Sequence, residues 1–209
     1  MDECESESVI MKLIFILPLL VAQLAFAQSD DIADVKKFQE TINKEFADPK
    51  TSPLEGKELK KFKTLPFYDI DLKYRVVAKL HATSDTDFKP MKTTTARFAN
   101  HRVYGTLEFT LEGKNIQIPV YQSKDLMNNP EYKDYLFFPF TDLTNNASTY
   151  GGGRYIDLRI PQGNVIVLDF NKAYNPSCAY SPKYSCPIVP GENNIDVAIT
   201  AGVKYEGHH

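Results

Sequence analysis

Cysteine is scarce in this chain, three residues in 209, and no two of them form a C-x-x-C pair. That removes the common zinc-ribbon and thioredoxin-like readings. Histidine is equally sparse: His81 and His101 lie apart in the interior of the chain, and His208 and His209 end it. No H-x-x-x-H spacing exists, so no metal is expected. A G-x-S-x-G nucleophile elbow, a Walker-type Gly-Lys-Ser/Thr and EF-hand spacing are also missing, and nothing calls for a cofactor. No apolar run reaches the ~20 residues of a membrane-spanning helix. Positive charge is not in excess, with 24 Lys and Arg against 27 Asp and Glu, so neither nucleic acid nor an anionic membrane is an expected partner. Internal repeats, low-complexity tracts and linkers are lacking too.

What is present begins with an export signal. Met11 and Lys12 precede the 15-residue apolar run "LIFILPLLVAQLAFA", which ends in Ala25, Phe26 and Ala27, an A-x-A cleavage site. The acidic decapeptide before Met11 has the wrong charge for a signal, so Met11 is the expected true start. Cleavage after Ala27 gives a mature chain from Gln28, bound for the periplasm or the exterior. It retains Cys178 and Cys186 but not Cys4, and carries 23 bases against 23 acids.

Residues 28–209 read as one domain. From Ser29 to Asp48, apolar Ile32, Val35, Phe38, Ile42 and Phe46 recur at spacings of three and four, which predicts an amphipathic helix. Ser29, Asp30 and Asp31 open it and Pro49 stops it. A short helical turn is expected near Glu58 to Phe62, then a strand from about Tyr74 to Leu80. The period then changes to two. "RVYGTLEFTL" and "KNIQIPVY" flank Glu112 and Gly113 as a β-hairpin, and "YLFFPF", "RYIDLRI", "NVIVLDF" and "NIDVAITAGVKY" are further strands. Short strands without alternating long helices predict a mainly β (α+β) chain: a single antiparallel β-barrel or sandwich-like domain, with an N-terminal amphipathic helix and a long Cys-containing loop.

One stretch, Tyr150 to Asn194, concentrates the unusual residues. Gly151, Gly152 and Gly153 run into a strand rather than a helix, which suits tight backbone better than a phosphate cradle. Arg154 shares a strand face with Ile156 and Leu158, so its guanidinium needs an anionic partner, either an internal carboxylate or a bound anion. Asp169 and Asn171 can close an Asx turn or ligate a hard cation. Cys178 and Cys186 enclose a short loop, and in an exported protein they predict a disulfide; the chain-entropy argument gives it ~2.6 kcal/mol.

At these residues the sequence resembles a bacterial family, domain of unknown function 1684. "FADPKTSPL", "YRVVAKL", "FFPFTDLTNNASTYGGGRYIDL" and "LDFNKAYNPSCAYSPKYSCPIVPGENN" carry the resemblance, and the last two are its specific part. The family brings no established activity. It does imply that the same cysteine pair occurs in relatives that look cytoplasmic, where a thiol or metal role suits it better than a disulfide.

Three functions are compatible with this pattern. A binding module would hold a small polar ligand, sugar-like or carboxylate, among Tyr150, Arg154, Tyr155, Asp169, Asn171, Tyr174, Asn175, Tyr180 and Glu192. A hydrolase would use Asp169 and Glu192 as acid and base. A purely structural latch would pair Arg154 with Asp169 or Glu192 and hold the loop over one end of a barrel.

Overall fold

The computed structural model describes residues 28–207; the expected signal segment, residues 1–27, lies outside them. Period-two alternation becomes eight strands: β1 (Arg75–Ala82), β2 (Lys89–Lys92), β3 (Phe98–Leu111), β4 (Lys114–Ser123), β5 (Tyr135–Asp142), β6 (Arg154–Arg159), β7 (Val165–Asp169) and β8 (Asn194–Ile195). They pair in the order β6-β5-β4-β3-β1-β7, each neighbour antiparallel. β2 lies against the first part of β3, and β8 runs parallel to the end of β5. The β3–β4 hairpin turns at Glu112 and Gly113, both at positive φ (48° and 74°), as a tight two-residue turn requires.

The outer strands of this order, β6 and β7, would each leave a row of unpaired backbone groups. A bridge just beyond β7 joins the two sides. The Tyr155 amide donates to the Tyr174 carbonyl at 2.9 Å and the Tyr174 amide donates back at 3.0 Å, which makes the sheet a nearly closed barrel. Leu107, Val120, Leu136, Phe138, Phe140, Leu168 and Phe170 fill its interior.

The expected amphipathic helix forms α1, residues 28–47. Ile42 and Phe46 on its stripe pack with Leu54, Leu65 and Val203 into a second core, where Tyr174 and Tyr180 also sit. Its acidic first turns are tied down as well, Asp31 to Arg75 at 2.8 Å and Asp34 to Lys172 at 2.6 Å. The helical turn that follows is α2 (Gly56–Lys61).

The last predicted strand is the main departure. Of residues 194–205, only Asn194 and Ile195 join the sheet as a strand. The alternation is real, since Val197, Ile199, Ala201 and Val203 are all buried. However, the backbone of Val197, Gly202, Val203, Lys204 and Tyr205 bonds scattered partners rather than one strand, and at Ile199 and Ala201 side chains take the place of a ladder. The Ile199 and Ala201 carbonyls accept from the Arg154 guanidinium at 2.9 and 2.5 Å, and the Ile199 amide donates to Asp142 Oδ2 at 2.8 Å. Periodicity reports which side chains are inside, not what satisfies the backbone between them.

Candidate functional site

Arg154 opens β6 and is completely buried. Its carboxylate partner is neither Asp169 nor Glu192 but Asp142, at the end of neighbouring β5, 3.3 Å from one guanidinium nitrogen. The guanidinium also lies over the Phe140 ring. Burial disfavours its charge and pulls the pKa down, while the Asp142 carboxylate beside it pushes the other way. Asp142 is committed in turn, accepting from the Thr144 hydroxyl at 2.9 Å and from the Ile199 amide. Gly153 lets the chain enter here: φ is +89°, and a Cβ would stand 2.6 Å from the Phe140 carbonyl oxygen. Arg154 therefore binds two carbonyls and Asp142 through its terminal nitrogens, leaves Nε without a hydrogen-bond partner, and is closed off from solvent.

Of the other residues expected to converge, the tyrosines meet, Tyr155 on Tyr174 and both Tyr150 and Tyr180 on Tyr205, while Asp169 and Asn171 bond elsewhere. Asp169 accepts from the Asn171 amide at 3.0 Å, forming the Asx turn, and its second oxygen holds Arg75 at 3.0 Å. Tyr155 and Tyr174 form the seam of the barrel, with the Tyr155 hydroxyl on the Pro187 carbonyl and the Tyr174 hydroxyl on Asp157 at 2.7 Å. Asn175 donates to the Tyr180 hydroxyl at 2.9 Å, and the Tyr180 ring meets Phe46 edge-on under α1. The Tyr150 ring meets the Tyr205 ring edge-on. Asp169 is buried against Arg75, whereas Glu192 is exposed beside the Tyr121 hydroxyl, and no hydrogen-bond partner joins the two.

Glu192 belongs to a cavity that sequence reasoning did not find. It encloses about 400 Å³ between β2, the first part of β3 and residues 188–192. Met91, Val103, Ile188, Val189 and Pro190 give it apolar walls, with His101, Tyr121 and Glu192 as inner polar groups and Asp85, Asp87, Lys89 and Lys92 around them. The wall is hung on β2 by backbone bonds, from the Ile188 amide to the Lys92 carbonyl at 2.8 Å and from the Thr94 amide to the Cys186 carbonyl at 2.9 Å.

Each inner group is held from behind. The buried Asn193 amide donates to the Pro119 and Pro139 carbonyls at 3.0 and 2.7 Å, bracing β4 to β5 where only Tyr121 and Phe137 are in register. Its oxygen then accepts from the Tyr121 hydroxyl at 2.9 Å, and Glu192 Oε1 lies 3.3 Å from the same hydroxyl. Burial first, and then the Glu192 carboxylate, push the Tyr121 phenol well above its usual range, so it stays protonated. The His101 ring packs on Phe137, and burial lowers its pKa from 6.5, which favours the neutral ring. Its Nδ1 lies 3.3 Å from the Ala99 carbonyl, which can only accept. The ring hydrogen is therefore on Nδ1, and Nε2 keeps a lone pair.

Cys178, half-buried, and Cys186, buried, are unbonded in this structure. The Cys178 amide donates to Cys186 Sγ at 3.3 Å.

Fold and site define a mainly β protein, a nearly closed antiparallel barrel with one packed helix and a small cavity at its side. The chain belongs to the family described as protein of unknown function (DUF1684), which matches residues 60–204. It is similar to the uncharacterised protein from gene locus rrnAC0354 of Haloarcula marismortui, solved by NMR in solution. That protein is 30% identical with a TM-score of 0.68, over 87% of this chain and 98% of its own. No curated protein matches.

Proposed function

We propose that the protein is a binding module for a small organic ligand with an apolar body and one or two hydrogen-bond donors, an amine or a hydroxyl. The observation that carries this reading is the pairing of two acceptors, the Glu192 carboxylate and His101 Nε2, with an apolar cavity of about 400 Å³. Cavities of this size suit small molecules, and a few fixed polar groups on apolar walls supply orientation. Lys89 and Lys92 also line the cavity, so a carboxylate ligand, the expectation attached to Arg154, is the competing class in any screen. The export signal expected at the N-terminus would place this binding outside the cytoplasm.

The test is a thermal-shift screen of small aliphatic and aromatic amines and alcohols, followed by titration of the hits against Glu192→Gln. A hydrogen bond to a charged group is worth roughly 1.5–3 kcal/mol, so the variant should bind on the order of ten to a hundred times more weakly. Hits that bind Glu192→Gln as tightly as wild type would count against this cavity as the site.

A further inference from the structure

The tyrosine-rich loop holds a second cluster of chemically competent groups, built on the Thr94 to Cys186 attachment that also hangs the cavity wall. Cys178 and Cys186 come together although seven residues separate them and no C-x-x-C turn forces them into contact. Cys178 remains partly exposed, while Cys186 lies behind it. The Cys178 amide donates to Cys186 Sγ at 3.3 Å, which sets the two thiols side by side. Cys186 is fixed from its backbone side, its amide on Thr94 Oγ1 at 3.2 Å and its carbonyl on the Thr94 amide at 2.9 Å. We propose that Cys178 and Cys186 are a redox-active dithiol that reduces low-molecular-weight disulfides, Cys178 as nucleophile and Cys186 as resolving thiol.

The electron count closes with the disulfide substrate as oxidant. The Cys178 thiolate attacks one sulfur of R–S–S–R, forming a Cys178–S–S–R bond and releasing one RS⁻. Cys186 then loses its proton to solvent and attacks Cys178 Sγ, forming the Cys178–Cys186 bond and releasing the second RS⁻. Two protein thiols are oxidised and one disulfide is reduced to two thiols. The division of roles follows from exposure, since Cys178 is half-buried and Cys186 is buried, and the thiol acidities agree with it. The bond from Cys186, followed by those from Thr94 and Tyr150, pulls the Cys178 pKa down to about 6 against the opposing effect of burial. The same bond and burial push Cys186 up. The titratable groups that face the pair are Tyr150 and Tyr155, both held protonated by burial. A low-molecular-weight substrate is favoured because Cys178 is only partly exposed and the Tyr150 phenol stands against it.

The experiment uses reduced full-length mature protein and one equivalent of an aromatic disulfide reagent, 5,5′-dithiobis(2-nitrobenzoate). Wild type should release two aryl thiolates per chain and end two hydrogens lighter. Cys186→Ser should release one and retain the aryl adduct on Cys178. The wild-type rate should rise with pH through a midpoint near 6, not near the ~8.5 of an ordinary thiol. A single release from wild type, a midpoint above about 8, or equal rates in wild type and Cys178→Ser would each overturn the proposal. Wild type alone decides the stoichiometry and the midpoint, so a variant that fails to fold does not spare the idea.

Discussion

Two polar clusters stand close in the sequence and opposite in use. Around Arg154, every strong group points inward: guanidinium to carboxylate and two carbonyls, carboxylate to a hydroxyl and an amide. Around Glu192, the supporting groups are as firmly bonded, with Asn193 bracing two strands and fixing Tyr121, but Glu192 and His101 line an open cavity. The first arrangement replaces a strand ladder and leaves nothing to bind with. The second is rigid behind and open in front, as a recognition site needs to be. A buried arginine is the more conspicuous residue in a sequence, yet its conspicuousness here reflects the backbone it has to satisfy.

Four substitutions or conditions would break or sharpen this contrast. Arg154→Ala should be the most damaging, since it leaves Asp142 as an uncompensated buried charge and orphans two carbonyls; about 3–5 kcal/mol of stability should be lost in urea denaturation. Next comes Gly153→Ala, which forces a side chain into positive φ against the Phe140 carbonyl and should cost roughly 2 kcal/mol by the same measurement. Glu192→Gln should reverse the pattern. Glu192 is exposed and its loss should move stability by no more than ~0.5 kcal/mol, while ligand affinity falls as given above.

The smallest effect concerns pH. His101 has a folded pKa below its unfolded 6.5, so the unfolded chain takes up the proton first. Its contribution to stability is complete above pH 6.5 and is lost as pH falls below that value towards the folded pKa. Urea midpoints of wild type and His101→Gln, compared from pH 7.5 to 5, should show a decline in wild type that is shallower in the variant. Equal slopes would mean that the ring is not held neutral.

Much of the scaffold was legible. The stripe Val35, Ile42, Phe46 gave the helix, and Glu112-Gly113 gave the hairpin, because periodicity and turn chemistry are local. The burial of Arg154 beside Ile156 and Leu158 was legible too, from alternation alone. Its partner was not, because Asp142 sits on a different strand and only the β5–β6 register brings Phe140 opposite Arg154. The segment from Asp196 to Tyr205 looked like a strand for the same reason: alternation does not say whether a neighbouring strand or a guanidinium receives the carbonyls. The cavity was illegible for a longer-range reason. His101, Tyr121 and Glu192 belong to β3, β4 and a distant loop, and the bond from Ile188 to Lys92 that forms the wall spans nearly a hundred residues. His101 drew attention only as an unsupported metal ligand; its one local signal was a histidine at a buried strand position.

The most direct test of the contrast is chemical-shift mapping by ¹H–¹⁵N NMR on labelled mature protein, titrated with the best amine or alcohol from the screen. Saturable shifts confined to the amides of Met91, His101, Val103, Tyr121, Val189 and Glu192, with Arg154, Ile199 and Ala201 unmoved, are the predicted result. Shifts centred on residues 150–155 and 199–201, with the cavity silent, would contradict it and return the Arg154 cluster to the position of binding site.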